Sequence, residues 1–313
     1  MQSRRLPKEN RSHHKLIVII GPTSSGKTAL SLELAKRFNG EIVSADSRQL
    51  YRALTIGTGK ATRAELRRVA HHLIDWKNPG RTVSLSQYKK AADAALTDIW
   101  RRGRNAFLVG GTPLYARSVL DNYQIPAVKQ DMKFRASLEK KSALQLYAML
   151  KKVDPVTAER IDKHNARRLI RALEICHSTN KRVSDFITTS HDRYKSLVIG
   201  LHVDRKILYR LIDDRVDKRL RRGMIAEVKS LLKQGVSKKW LKSLGLEYRA
   251  IITYLEKGET RTNKLKMAES LKNAIHDFAR RQLVWYRKFP DVCWLAPHDT
   301  TGASKLIQRF LSD

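Results

Sequence analysis

Acidic side chains are scarce in this 313-residue chain: 30 Asp and Glu stand against 63 Lys and Arg, a formal charge of +33. Such an excess attracts polyanions and makes nucleic acid the expected partner. An anionic membrane surface and a plain solubility trait are the other readings. Cysteine is nearly absent. Cys176 and Cys293 are too few and too far apart for a disulfide framework or a CxxC zinc site, and that usage suits the cytoplasm. No apolar run reaches membrane-spanning length, so no membrane is expected. The opening MQSRRLPKENRSHHK lacks the apolar stretch of a secretory signal, and residues 1–14 read as a basic flexible arm. His71 and His72 have no metal-binding context and read as structural or surface residues. With 42% apolar and 30% charged residues, the chain can bury a core. Its length calls for one large domain with an insertion, or for two.

The order of elements narrows the fold. KLIVII (15–20) reads as a buried strand, ALSLELAKRF as a helix stopped by Asn39-Gly40, and EIVSA (41–45) as a second strand. Residues 84–102 predict a long helix with Ser84 as N-cap and Gly103 beyond its end. NAFLVGG (105–111) is another strand, followed by a helix with Pro113 in its first turn. LVIGLHV (197–203) returns to strand character, and VCWLA (292–296) is a further strand. Strand–helix alternation gives an α/β fold, a P-loop NTPase-like doubly wound parallel sheet. Its core spans 15–126 and 197–313, with a helical C-terminal part. Residues 127–196 form a helical insertion domain holding 16 basic and 8 acidic side chains. That density is close to the chain average, so net charge alone does not mark the insertion.

GPTSSGKT, residues 21–28, fits the P-loop template between a strand and a helix, the context that template requires. Gly21, Pro22, Thr23, Ser24, Ser25 and Gly26 supply a backbone that can converge on phosphate oxygens, at a helix start that favours anions. Lys27 adds a point charge, and the Thr28 hydroxyl suits Mg²⁺. The usual NTPase acid at the end of a second strand is missing: NAFLVGG ends in glycines, and only a weak strand precedes Asp75. The best-placed acid is Asp46, directly after EIVSA at the ligand edge of the sheet. It can bind Mg²⁺ through water, act as a general base, or cap the SRQLY segment.

GPTSSGKT, SADSRQLYRALTIGTGK (44–60), HHLID (71–75) and LVGGTPLYARSVL (108–120) together resemble the tRNA dimethylallyltransferase family, the tRNA isopentenyltransferases. VDPVTAERI (153–161), RRLIRALEI (167–175), DDRVDKRLRRGMIAEV (213–228) and ARRQLVWYRK (279–288) extend the resemblance over roughly residues 15 to 295. It implies transfer of a dimethylallyl group from dimethylallyl diphosphate to N6 of the adenosine at position 37 of a tRNA. The loop then holds the leaving diphosphate. An exocyclic adenine amine is a poor nucleophile, so charge gathering on the departing diphosphate must be stabilised by N–H donors, Lys27 and Mg²⁺.

The same resemblance implies roles for particular residues. Asp46 becomes the general base that takes the N6 proton, and Thr112 of GGTPLY lies near the reacting amine. Arg215 reaches the phosphates with a permanently charged fork. Ser47, Arg48 and Gln49 contact the target nucleotide, which must leave its stack to be alkylated. Arg167, Arg168 and Arg171 of the insertion, and Arg280, Arg281 and Gln282 before Trp285 and Tyr286, become RNA-contact residues. Partners are then the tRNA anticodon stem-loop and the prenyl diphosphate, with Mg²⁺ as cofactor and the protein a monomer.

The chain departs from the family's pattern in three places. Asp162-Lys163-His164-Asn165 stands where His-Pro-Asn-Asp is usual, Lys60-Ala61 where Lys-Pro is usual, and Glu247-Tyr248-Arg249 where Gly-Tyr-Lys/Arg is common. Catalytic motifs are intact while RNA-contact segments have drifted. Two other readings share the loop: a P-loop kinase of a nucleoside or small metabolite, and an RNA-binding protein that holds nucleotide without chemistry. The helical insertion and GGTPLY argue against the first, and intact Asp46 and Thr112 against the second.

Overall fold

The computed structural model describes residues 14–124, 126, 128, 130–186 and 194–313. The expected basic arm lies outside these residues except for His14, which opens the first strand. The chain divides into two compact units, one of residues 1–117 and 192–313, the other of residues 118–191.

The first unit begins with β1 (His14–Ile20), α1 (Lys27–Arg37), β2 (Gly40–Ser44), α2 (Arg63–Arg68), β3 (His71–His72), α3 (Leu85–Arg101), β4 (Asn105–Val109) and the start of α4 (Pro113–Leu120). The four helices of the second unit are α5 (Met132–Glu139), α6 (Ala143–Val153), α7 (Pro155–Arg160) and α8 (Ala166–Thr179), followed by a 3₁₀ turn at Val183–Phe186. The first unit resumes with β5 (Tyr194–Leu201), α9 (Arg205–Arg221), α10 (Met224–Lys233), α11 (Lys238–Leu244) and α12 (Leu246–Lys257). It closes with α13 (Arg261–Tyr286), β6 (Val292–Leu295) and α14 (Thr300–Ser312).

The six strands form one sheet in the order β3-β2-β4-β1-β5-β6. Every pairing is parallel. β1 lies between β4 and β5, buried from Leu16 to Ile20, which explains its unbroken apolar run. Ile17, Ile19, Leu34, Ile42, Phe107, Ile199 and Ile307 share the core between sheet and helices. Ser84 caps α3 through a reciprocal capping box with Gln87. Three strands are shorter than their sequence runs, β6 by one residue. β4 ends at Val109, because Gly110 and Gly111 leave the ladder, and β3 keeps only two paired residues.

The helical unit has its own core: Leu138, Leu146, Leu150, Leu169, Ile170 and Leu173. Asp154 caps α7 through the Thr157 N–H at 3.0 Å and also accepts from the Ser184 N–H and hydroxyl. Glu174 is fully buried on α8 and accepts from Arg135, Arg171 and the Asp131 N–H. Burial alone would raise its pKa, but these donors outweigh it and hold the carboxyl at about 2.

Candidate active site

β1 delivers the chain into the phosphate loop at the C-terminal edge of the sheet, and α1 starts at Lys27. Its N-cap, Gly26, adopts a left-handed φ of 86°, and no side chain caps the helix. First-turn N–H groups in that arrangement are an anion site waiting for its charge. Lys27 Nζ folds back onto the loop, donating to Gly21 O at 2.9 Å and Pro22 O at 2.6 Å. Burial pulls its pKa down to about 7, helped by the charge of Arg215 and opposed by that of Asp46.

The ends of β2 and β4 close beside this loop. A Cβ at Gly110 would stand 2.1 Å from Ala45 O, so only glycine lets the two strand ends approach this closely. Thr112 N–H then donates to Ala45 O at 3.0 Å, and the Thr112 hydroxyl accepts from the Ser47 N–H at 3.0 Å. Asp46 sits between them. Its Oδ1 accepts from the Arg48 N–H at 2.9 Å, a local turn that fixes the carboxylate two residues past the strand.

α9 and α13 complete the walls. Arg215 Nη1 donates to the Thr23 hydroxyl at 3.0 Å and the Ser24 hydroxyl at 3.3 Å, and burial lowers its pKa. Gln282, expected as an RNA contact, is 3% exposed at the cavity wall, with Oε1 accepting from the Thr23 N–H at 2.9 Å and Nε2 donating to Gly111 O at 2.5 Å. It clamps the phosphate loop to the glycine turn after β4. Tyr286 is buried below it and donates to Gly110 O. Arg280 and Arg281 are exposed, with Arg280 loosely paired to Asp277 at 3.3 Å.

Thr23–Thr28, Asp46, Thr112 and Arg215 line one cavity of about 450 Å³, joined by Ser47, Arg48 and Gln49. Ile275, Phe278, Leu246 and Tyr248 add an apolar wall. A smaller cavity of about 50 Å³ beside it is lined by Lys27, Thr28, Ser31, Ser44 and Asp46.

Three residues were missed as site elements. Glu227, on α10, accepts from the Thr55, Ile56 and Gly57 N–H groups and from Tyr248, pinning the loop that forms the cavity's rim. Its place in the quoted MIAEV segment gave no sign of this. Tyr248 closes over Gly57, and Arg219 follows Arg215 by one helical turn. Asp75 is not among the residues lining the cavity and pairs with Lys60 at 2.5 Å. His72 is likewise structural, bonded to Glu41 at 2.7 Å.

The other unit carries the remaining candidates. Arg167 and Arg168 are exposed at the start of α8. Arg171 does not share their freedom. Its guanidinium is held by Glu174 and by Val128 O, with 35% of the side chain exposed.

Two family models match: one described as IPP transferase over residues 49–289 and one as isopentenyl transferase over residues 14–83. The tRNA dimethylallyltransferase of Roseiflexus castenholzii is 43% identical, with 94% of this chain and 95% of the relative covered. That of Carboxydothermus hydrogenoformans is 41% identical, with 96% and 97% covered. Among solved structures, the full-length tRNA isopentenylpyrophosphate transferase of Bacillus halodurans matches with a TM-score of 0.71 at 34% identity, covering 96% of this chain and 97% of that one. A eukaryotic dimethylallyltransferase described as acting on tRNA matches with a TM-score of 0.79 at 27% identity, covering 95% and 77%. With its phosphate loop, Asp46, Thr112 and Arg215 gathered on one cavity, and with that likeness running nearly end to end, the chain belongs to the tRNA dimethylallyltransferase (IPP transferase) family.

Proposed function

We propose that this protein transfers a dimethylallyl group from dimethylallyl diphosphate to N6 of adenosine 37 in the anticodon stem-loop of a tRNA, releasing diphosphate. The observation that carries the reading is the convergence of phosphate loop, Asp46 carboxylate and Arg215 on one cavity with an apolar wall. The uncapped start of α1, Lys27 and Arg215 receive the diphosphate and stabilise the charge it gathers as the allylic C–O bond loosens. Ile275, Phe278 and Leu246 offer the prenyl group an apolar wall. Once N6 attacks, the alkylated amine becomes acidic, and Asp46 takes its proton. With Oδ1 held by the Arg48 N–H, Oδ2 is the oxygen left for that task. Thr112 and Ser47, bonded to each other, orient the base beside the donor.

The residues fit a hard divalent cation such as Mg²⁺. Thr28 would supply an oxygen ligand beside the small cavity, with Asp46 near enough to act through a water, and no cluster of three or more His, Cys, Asp or Glu that could hold a metal exists among the described residues. A cation bound by one or two protein oxygens and substrate phosphates is the mode that Mg²⁺ favours. When bound, it would neutralise diphosphate charge.

For RNA, Ser47, Arg48 and Gln49 contact the extruded nucleotide, Arg280 and Arg281 the backbone, and residues 118–191 serve as an RNA-binding unit through Arg167 and Arg168. The protein acts as a monomer in the cytoplasm. Among the described residues no helix is long and apolar enough to cross a membrane. The test is to incubate the protein with Mg²⁺, tRNA and either dimethylallyl diphosphate or ATP, then weigh the digested nucleosides. A gain of one prenyl unit on adenosine supports the reading. ATP turnover without RNA favours the kinase alternative.

A further inference from the structure

Lys27 and Arg215 line the donor cavity, and Arg219 stands behind it, one turn along α9 from Arg215. Lys27, Arg215 and Arg219 stand near one another, and each has its pKa pulled down by burial; Arg215's charge adds to the effect on the other two. Arg219 is 7% exposed. Its Nη1 donates to Gly57 O at 3.2 Å and reaches Glu247 Oε1 at 3.4 Å. Its Nη2 is buried without any hydrogen-bond partner. A Cβ at Gly59 would lie 1.6 Å from Arg219 Nη2 and 2.4 Å from Arg215 Nη2, so both guanidiniums converge on the same bare stretch of backbone.

Like charges brought together in a desolvated place need an anion. Two carboxylates line the cavity and act on the pair, Asp46 and Glu247, and the stronger influence on both arginines is that of Glu247, in the first turn of α12. Its charge is the largest influence holding Arg215 in its protonated form against burial, and it acts in the same sense on Arg219. Yet its contact with Arg219 is long, and its side chain is 24% exposed. A tightly bound structural pair would be shorter and bidentate.

We propose that Glu247 is a specificity-determining residue of the donor site, an internal anion that balances Arg215 and Arg219 and sets how tightly the cavity holds diphosphate. The inference rests on the proposed function, because it takes the cavity's ligand to be a diphosphate. Glu247 stabilises the empty site and repels the bound anion. Affinity is thereby kept low enough for the leaving group to depart.

The experiment is calorimetric titration of the full chain with inorganic pyrophosphate and Mg²⁺, together with steady-state kinetics on tRNA. Glu247→Gln should bind pyrophosphate about tenfold more tightly, the size of effect one unit charge exerts across a cavity of intermediate dielectric. Glu247→Asp should stay near the wild type. KM for the prenyl donor should fall in Glu247→Gln, and kcat should fall with it as release slows. Unchanged or weaker pyrophosphate binding by Glu247→Gln would overturn the proposal. If that variant does not fold, Arg219→Met carries the test. It leaves Glu247 balanced by Arg215 alone, and pyrophosphate binding should weaken about tenfold; unchanged affinity overturns the proposal. A wild type that binds no pyrophosphate at all overturns the donor-site reading itself, and this inference with it.

Discussion

Each unit of this protein buries a charged cluster, and the two are built in opposite ways. In the helical unit, the Glu174 carboxylate has a donor for each oxygen: Arg135 twice, Arg171 and the Asp131 N–H. In the sheet unit, Lys27 donates only to two loop carbonyls, Arg219 keeps an unpartnered nitrogen, and the start of α1 has no side-chain cap. A satisfied buried charge fixes one conformation. An unsatisfied one is tolerated where a ligand completes it. The first cluster is architecture; the second belongs to the proposed donor site.

Five measurements would break or sharpen that contrast. The largest effect belongs to Asp46→Ala, which should lose about 10³-fold in turnover, within the range for a general base, while tRNA binding is retained. Near wild-type single-turnover rates would remove the base assignment. Next, Lys27→Ala should weaken pyrophosphate binding about a hundredfold, as expected for a charge-assisted hydrogen bond in a buried site, with tRNA affinity little changed. Equal losses for both ligands would point to damage to the fold.

Glu174→Gln should cost the helical unit about 3 kcal/mol in denaturant unfolding, because two arginines lose their counter-charge inside it. An effect below about 0.5 kcal/mol, the level of an ordinary surface substitution, would place Glu174 with the poised charges instead.

The pH response separates the clusters again. Lys27 has its pKa lowered to about 7 in the donor-free site, so it carries charge below that pH and loses it above. Pyrophosphate binding favours the charged form. Affinity should fall as pH rises beyond 7, with proton uptake on binding, and Lys27→Arg should abolish the part of the uptake that belongs to this residue. Titrations in buffers of different ionisation enthalpy would read this directly. Glu174 is depressed to about 2, so its contribution to stability is present at neutral pH. It fades only in acid, between the ordinary glutamate pKa and 2.

The smallest effect is expected of Arg168→Ala. If Arg168 neutralises one RNA phosphate, tRNA binding should weaken a few-fold and the logarithmic salt slope should drop by about 1. An unchanged slope would assign its exposed charge to solvent.

Much of the sheet unit was legible because its signals are local. β1 is a continuous apolar run since it is buried on both faces, and Ser84 with Gln87 marks a helix start by its own chemistry. The phosphate loop is a stretch of eight residues whose backbone does the binding, so its spacing alone identifies it. Gln282 follows two exposed arginines. One residue further along α13 turns the side chain inward, and only packing reveals that. Arg171 stands one turn before Glu174, a pairing legible in the sequence, whereas the second partner of Glu174, Arg135, is 39 residues away and only packing brings it there.

By itself, the sequence determined the phosphate loop, the succession of strand and helix, and Asp46 at a strand end, since each follows from neighbouring residues and the geometry of a single element. Tertiary structure alone decided that Arg215, 192 residues from Thr23, reaches the loop, that Gln282 clamps it, and that Glu227 pins its rim. It also decided that Glu247, on the cavity wall, reaches Arg219, 28 residues away in sequence. Those arrangements depend on which helix faces the sheet edge, a choice made by burial of the whole apolar surface and not by any one segment.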